Sequence, residues 1–129
     1  MRVTSDNKLD ANLAKHLLGE LDAGRELPVD YPYPVQVIRL GHDLTLVALG
    51  GEVVVDYSLR LQEEIADPVV WVAGYSNDVM TYIPSRRVWD EGGYEGGDAM
   101  KWKLFPARWR PDLEEVIVGA VHELRGELE

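Results

Sequence analysis

Glu52, Asp78, Tyr82, Tyr94 and Glu95 are the residues of this chain whose types and spacing suit chemistry. Glu52 closes Gly50-Gly51-Glu52, a polar interruption directly after the apolar run Leu44 to Leu49. The other four lie between Gly74 and Gly97, in a glycine-bounded stretch that follows a second apolar run, Val69 to Ala73. Loops leaving strand ends are where α/β proteins place ligand chemistry, because the strand holds the first loop residues in place. Two strands that each deliver acidic or phenolic groups read as halves of one site. Such groups serve as oxygen ligands for a metal ion. They also serve as a carboxylate pair of the glycosidase kind, Glu52 with Asp78 or Glu95.

Each of these residues has a plain structural reading beside the chemical one. Glu52 precedes a helical pattern and suits a helix N-terminus. Tyr82 suits a strand aromatic packing on a sheet, and Asp78 can brace its own turn. Arg86 and Arg87 read as a solvated helix face, with pairing to Glu95 as the alternative. His16, His42 and His122 show none of the close spacing of a metal-binding helix or hairpin. The chain has no cysteine, hence no disulfide and no thiolate ligand. No Gly-x-Ser-x-Gly elbow, phosphate loop or dinucleotide fingerprint is present.

The elements that must position these groups follow from pattern. Leu9, Leu13, Leu17 and Leu21 recur every fourth residue and predict a first helix, capped by Ser5 or Asp6 and stopped by Gly24. Residues 25 to 34 hold three prolines and read as an extended connector. Val35 to Leu40 and Leu44 to Leu49 form a hairpin about Gly41-His42-Asp43. Val53 to Glu64 is expected to be a helix despite its β-branched start, and Val69 to Ala73 a buried strand. Ser85 caps a short helix through Glu91, and Pro111 opens a last helix. The expected fold is α/β or α+β, a small sheet of about three or four strands with packed helices.

The 129 residues suit a single domain with a core of its own. Thirteen basic against 23 acidic residues give a net charge of −10, which opposes binding to a phosphate backbone. Lys101, Trp102, Lys103, Phe105, Arg108, Trp109 and Arg110 interleave cations with aromatics as single-strand binders do. The alternative there is packed rings with the cations reaching into solvent. No apolar run approaches the ~20 residues of a membrane span.

The chain resembles the catalytic domain of the neutral/alkaline, non-lysosomal ceramidase family. Tyr31-Pro32-Tyr33-Pro34-Val35-Gln36, Ala48-Leu49-Gly50-Gly51-Glu52 and Gly74-Tyr75-Ser76-Asn77 carry the resemblance. It continues through Tyr82-Ile83-Pro84-Ser85-Arg86-Arg87 and Glu91-Gly92-Gly93-Tyr94-Glu95. In that family zinc is held by two histidines, a glutamate and a tyrosine, and the enzyme hydrolyses an N-acyl amide of a sphingoid base. The resemblance implies Glu52 and Tyr82 as metal ligands, Tyr94 as donor to the developing oxyanion, and Asn77 and Asp78 as braces behind them. Both family histidines lie upstream of the matching region, and nothing in residues 1 to 14 resembles them. The chain is therefore expected to be a C-terminal segment of a longer catalytic domain, inactive alone, with an upstream segment or a second chain completing the site. The connection from Glu52 to Tyr82 is shorter than in the lipid-hydrolysing members, which leaves the identity of the amide open. The rival expectation is a non-catalytic homo-oligomeric domain, a dimer burying Leu9, Leu13 and Leu17 or the last helix.

Overall fold

The structure is a computed structural model that describes residues 5 to 128, with side chains from Lys8 onward. Helix α1 (Ser5–Asp22) packs against the short helix α4 (Ala99–Trp102), where Asp10 meets Lys101 at 2.9 Å. Its end is a glycine stop: Gly24 has φ 73°, and Arg25 N–H donates to Glu20 O at 3.0 Å. The capping expected of Ser5 or Asp6 falls on side chains outside those described.

Strands β1 (Val35–Leu40) and β2 (Leu44–Leu49) pair antiparallel, Val35 opposite Leu49, as the hairpin pattern predicts. Strand β4 (Val69–Ala73) joins β2 in parallel, Leu44 opposite Val69, giving the order β1-β2-β4. The connection between β2 and β4 contains helix α2 (Val55–Glu64), as a parallel crossover requires. Alternation along the strands sends Val37, Val47, Leu49 and Val70 to one face. There they meet Tyr57 and Leu61 of α2 and Ile117, Val118 and Val121 of helix α5 (Leu113–Gly126). This is the core. The fold is a mixed three-stranded sheet plus a small parallel pair with packed helices, of α/β or α+β class.

Two expectations need correction. The helix expected from Val53 begins instead at Val55, and Glu52–Val53 is a strand, β3, paired in parallel with β5 (Tyr82–Ile83). Val53 and Val54 are β-branched and favour extended backbone. The N–H groups of Glu52 and Val54 donate to Thr81 O at 2.9 Å and Ile83 O at 3.3 Å, bonds a helix start would leave unmade. The second correction concerns β4, which is covered on one side only. Its outer residues Val69 and Trp71 are 52% and 62% exposed, as are Ile38 (43%) and Leu40 (57%) on β1.

Ser85 caps helix α3 (Arg86–Glu91) as expected, accepting from Val88 N–H at 3.3 Å, and Gly92 ends it at φ 72°. The following π-helical turn, Tyr94–Asp98, and α4 had no counterpart in the pattern reading. In the segment from Lys101 to Arg110, Phe105 and Trp109 pack with Tyr31, their rings 5.7 to 6.0 Å apart, while Trp102 is exposed. The Arg108 guanidinium lies over the Trp89 ring, 4.1 Å from its centroid. No helix among the described residues is long and apolar enough to cross a membrane.

Candidate functional site

The site begins with Gly50 and Gly51, which turn the chain out of β2. Gly51 has φ 68°, and a Cβ there would stand 2.6 Å from Ile83 Cγ1 and 2.8 Å from Thr81 O, so any larger residue would force β3 and β5 apart. Tyr33, half-buried beneath this turn, donates its hydroxyl to Gly50 O at 2.7 Å. The two strand-end loops are then joined through the backbone. Gly51 N–H donates to Asp78 O at 2.8 Å, Tyr75 N–H to Gly51 O at 2.8 Å, and Ser76 N–H to Leu49 O at 3.0 Å. The loops after β2 and β4 are thereby a single structural unit.

On this base Glu52 and Tyr82 are direct partners on neighbouring parallel strands. Neighbouring strands run ~4.8 Å apart, within reach of a carboxylate and a phenol. The Tyr94 ring lies edge-on to that of Tyr82, centroids 5.5 Å apart and planes at 70°. Trp109 fixes Tyr82 from behind by donating Nε1–H to its carbonyl at 3.0 Å. Hydrogen bonding to the Glu52 carboxylate, with burial second, raises the Tyr82 phenol above its ordinary value; the charges of Glu52 and Glu95 add to this. The same carboxylate acts on a second phenol. Hydrogen bonding to Glu52 pushes Tyr75 up to about 12.

Glu52, Tyr82 and Tyr94 thus form one cluster, with Glu95 beside it and exposed. Asn77 and Asp78 sit one step out. Asn77 donates to Gln36 Oε1 at 2.8 Å, and the Asp78 carboxylate accepts from Tyr31 at 2.5 Å. Asp78 braces the Glu52 turn through its main-chain carbonyl, the acceptor for Gly51. Its carboxylate is taken up by Tyr31, on the aromatic side. Arg86 and Arg87 pair with Asp90 at 2.9 Å and with Asp56 at 3.0 Å. His16, His42 and His122 are all exposed, and His122 Nε2 lies 2.7 Å from Glu64 Oε2.

Zinc accepts carboxylate and phenolate oxygens, so Glu52 with Tyr82 fits two of its positions. Among the described residues there is no group of three or more His, Cys, Asp or Glu able to hold a metal ion. The donor set suits half of a zinc centre and not a whole one. Sequence reasoning overlooked Tyr75, although it stands in the same loop as Asn77. No pattern in the sequence marks it; its place is set by the loop backbone, with Tyr75 at φ 54° and Asn77 at φ 66°. No protein-family model, curated protein or solved structure matches this chain.

Proposed function

We propose that this chain carries the glutamate–tyrosine half of a zinc-dependent amidohydrolase site of the neutral ceramidase type. The observation that supports this reading is the register of β3 with β5, which sets Glu52 directly opposite Tyr82 although 30 positions separate them in sequence. Glu52 would hold the metal through a carboxylate oxygen and Tyr82 through its phenolic oxygen. Zinc, when bound, supplies a Lewis acid that lowers the pKa of water to about 7 and polarises the amide carbonyl. Tyr94, exposed and edge-on to Tyr82, presents a hydroxyl to the oxyanion that develops as the carbonyl is attacked. The remaining ligands come from an upstream segment of the same enzyme or from a second chain, so the 129 residues alone are inactive. The substrate class is an N-acyl amide, a lipid amide in the family it resembles.

The test is zinc titration of the purified chain beside Glu52→Ala and Tyr82→Phe. Weak, oxygen-type zinc binding that is lost in both variants is the expected result. Binding that survives Glu52→Ala would remove the half-site from consideration. Hydrolysis of an N-acyl sphingoid base by this chain alone would contradict the claim that the site is incomplete.

A second reading, a homodimeric interaction domain, is favoured by the bare outer face of the sheet. Ile38, Leu46 and Trp71 form one row across the three strands, and Leu40, Leu44 and Val69 the next. The two-fold pairing of this face in two copies would shield its apolar side chains from water. On the last helix Ile117, Val118 and Val121 are buried in the chain's own core, while Val116 is exposed. Leu9, Leu13 and Leu17 are half-buried on α1. Sedimentation at micromolar concentration should show a dimer that Trp71→Lys converts to monomer. A parent chain that is wholly monomeric would count against this reading.

A further inference from the structure

We propose that the cavity between the proline-rich connector and the turn after α4 binds an organic cation, an alkylated or quaternary ammonium group carried on a small apolar body. The inference goes beyond the half-site reading and does not depend on it.

The cavity holds about 380 Å³, within the size range of small-molecule sites. Tyr31, Phe105 and Trp109 line it together, with Pro28, Pro32 and Pro106 beside them. The three ring centroids lie 5.7 to 6.0 Å apart with planes at 50° to 81°, so the rings form a corner and not a flat stack. Aromatic faces carry negative potential and attract ammonium groups within about 6 Å of the ring centroid. Val29, in the same lining, is 96% exposed, an apolar side chain that a bound organic molecule would cover.

The rings are held in place before any ligand arrives. Tyr31 donates its hydroxyl to the Asp78 carboxylate at 2.5 Å. Trp109 donates Nε1–H to Tyr82 O at 3.0 Å, and its own carbonyl accepts from Trp89 Nε1–H at 2.8 Å. Phe105 is placed by the end of α4. Leu104 takes a left-handed φ of 59° and donates its N–H to Lys101 O at 3.2 Å, while Phe105 N–H donates to Met100 O at 3.2 Å. Leucine enters that region at a cost, and the turn it makes carries Phe105 back against Tyr31. Pro28 and Pro32 stiffen the connector on either side of Asp30. Walls fixed in advance lower the ordering cost of binding.

Charge selects the ligand. Asp30 belongs to the lining, and its carboxylate has no ion pair or hydrogen bond among the described residues. Arg108 belongs to the lining too, but its guanidinium is engaged elsewhere. It lies 4.1 Å from the Trp89 ring centroid and donates to Trp89 O and, at 2.9 Å, to Gly96 O. The charge left to a ligand is therefore negative, in a chain of net charge −10 whose field draws cations.

The experiment is isothermal titration of the 129-residue chain with benzyltrimethylammonium, benzyl alcohol and benzenesulfonate, which share a phenyl body and differ in charge. Saturable uptake of the cation, tighter than that of the other two, is expected. Choline and a short peptide containing Nε-trimethyllysine serve as competitors; displacement by either supports the site and tells a free molecule from a side chain as carrier. Asp30→Asn, at an exposed position, should weaken the cation about 2–5-fold with Tm unchanged. Phe105→Leu keeps an apolar side chain but deletes the π face, and should weaken it by the same order, about 2–5-fold. Benzenesulfonate bound as tightly as the cation would give the charge of the cavity to Arg108 and overturn the proposal. Equal affinity for benzyl alcohol, cation affinity unchanged in both variants, or no uptake of the cation at millimolar concentration would each overturn it as well.

Discussion

On the inner face of the three-stranded sheet, Val47, Leu49 and Val70 lie buried beneath α2 and α5. One residue along each strand, the outer face presents Ile38, Leu40, Leu44, Leu46, Val69 and Trp71, with Gln36 the polar member of its nine positions. The two faces are alike in composition and differ in what covers them. A sheet with one solvated face ordinarily alternates apolar with polar residues. Strands β2 and β4 instead read as near-continuous apolar runs, the pattern of strands covered on both sides. An apolar face is thus not evidence of a core; it is evidence of a demand for cover. The described residues meet that demand once.

Three changes probe this difference, and the largest belongs to the covered side. Leu49→Ala, at a fully buried position on β2, should lower unfolding stability by about 3 kcal/mol through lost transfer free energy and the cavity left behind, read by urea denaturation. An equally large effect from Leu46→Ala on the outer face would dissolve the distinction.

The next is the polar clamp at the lower end of the inner face. Thr45, fully buried, donates its hydroxyl to Asp67 Oδ2, and Arg125 grips the same carboxylate at 2.7 Å. The Arg125 hydrogen bond first, and that of Thr45 second, hold Asp67 down at about 2. Because the folded value lies below the unfolded one, this stabilisation is complete above roughly pH 4 and drains away as pH falls toward about 2. Asp67→Asn should cost about 2 kcal/mol at neutral pH and flatten the acid limb of the stability profile between those limits. Unchanged acid sensitivity in the variant would show that the clamp contributes little.

The smallest effect is expected outside. Trp71→Lys should leave the stability of the monomer within about 0.5 kcal/mol of the parent, because a residue with 62% of its surface in water gives up little on replacement. Destabilisation comparable with that of Leu49→Ala would mean that Trp71 is covered in the solution state.

Local pattern carried much of this. The leucine spacing of α1, the hairpin about Gly41, the Ser85 cap and the apolar face of α5 are each stated within a few residues of sequence, where propensity and period act directly. Glu52, Tyr82 and Tyr94 stood out by residue type as oxygen-bearing groups after apolar runs, while their pairing as ligands and donor came from the family resemblance. Pattern misjudged the Val53–Glu64 segment because two residues are too few to show a strand period. What makes Glu52–Val53 a strand is Thr81 and Ile83, far along the chain.

The sequence by itself determined the longer helices and the three strands of the main sheet, the acidity of the chain and the supply of oxygen donors after two apolar strands. Those properties depend on residue type and near spacing, which a linear string records. Only the tertiary structure decided that Glu52 stands opposite Tyr82, that the loops after β2 and β4 are joined through Gly51, and that one apolar face of the sheet lies bare. Each of these is a matter of register or of cover between segments distant in sequence. A residue's neighbours across a sheet are set by the whole fold's packing, not by anything written beside it in the chain.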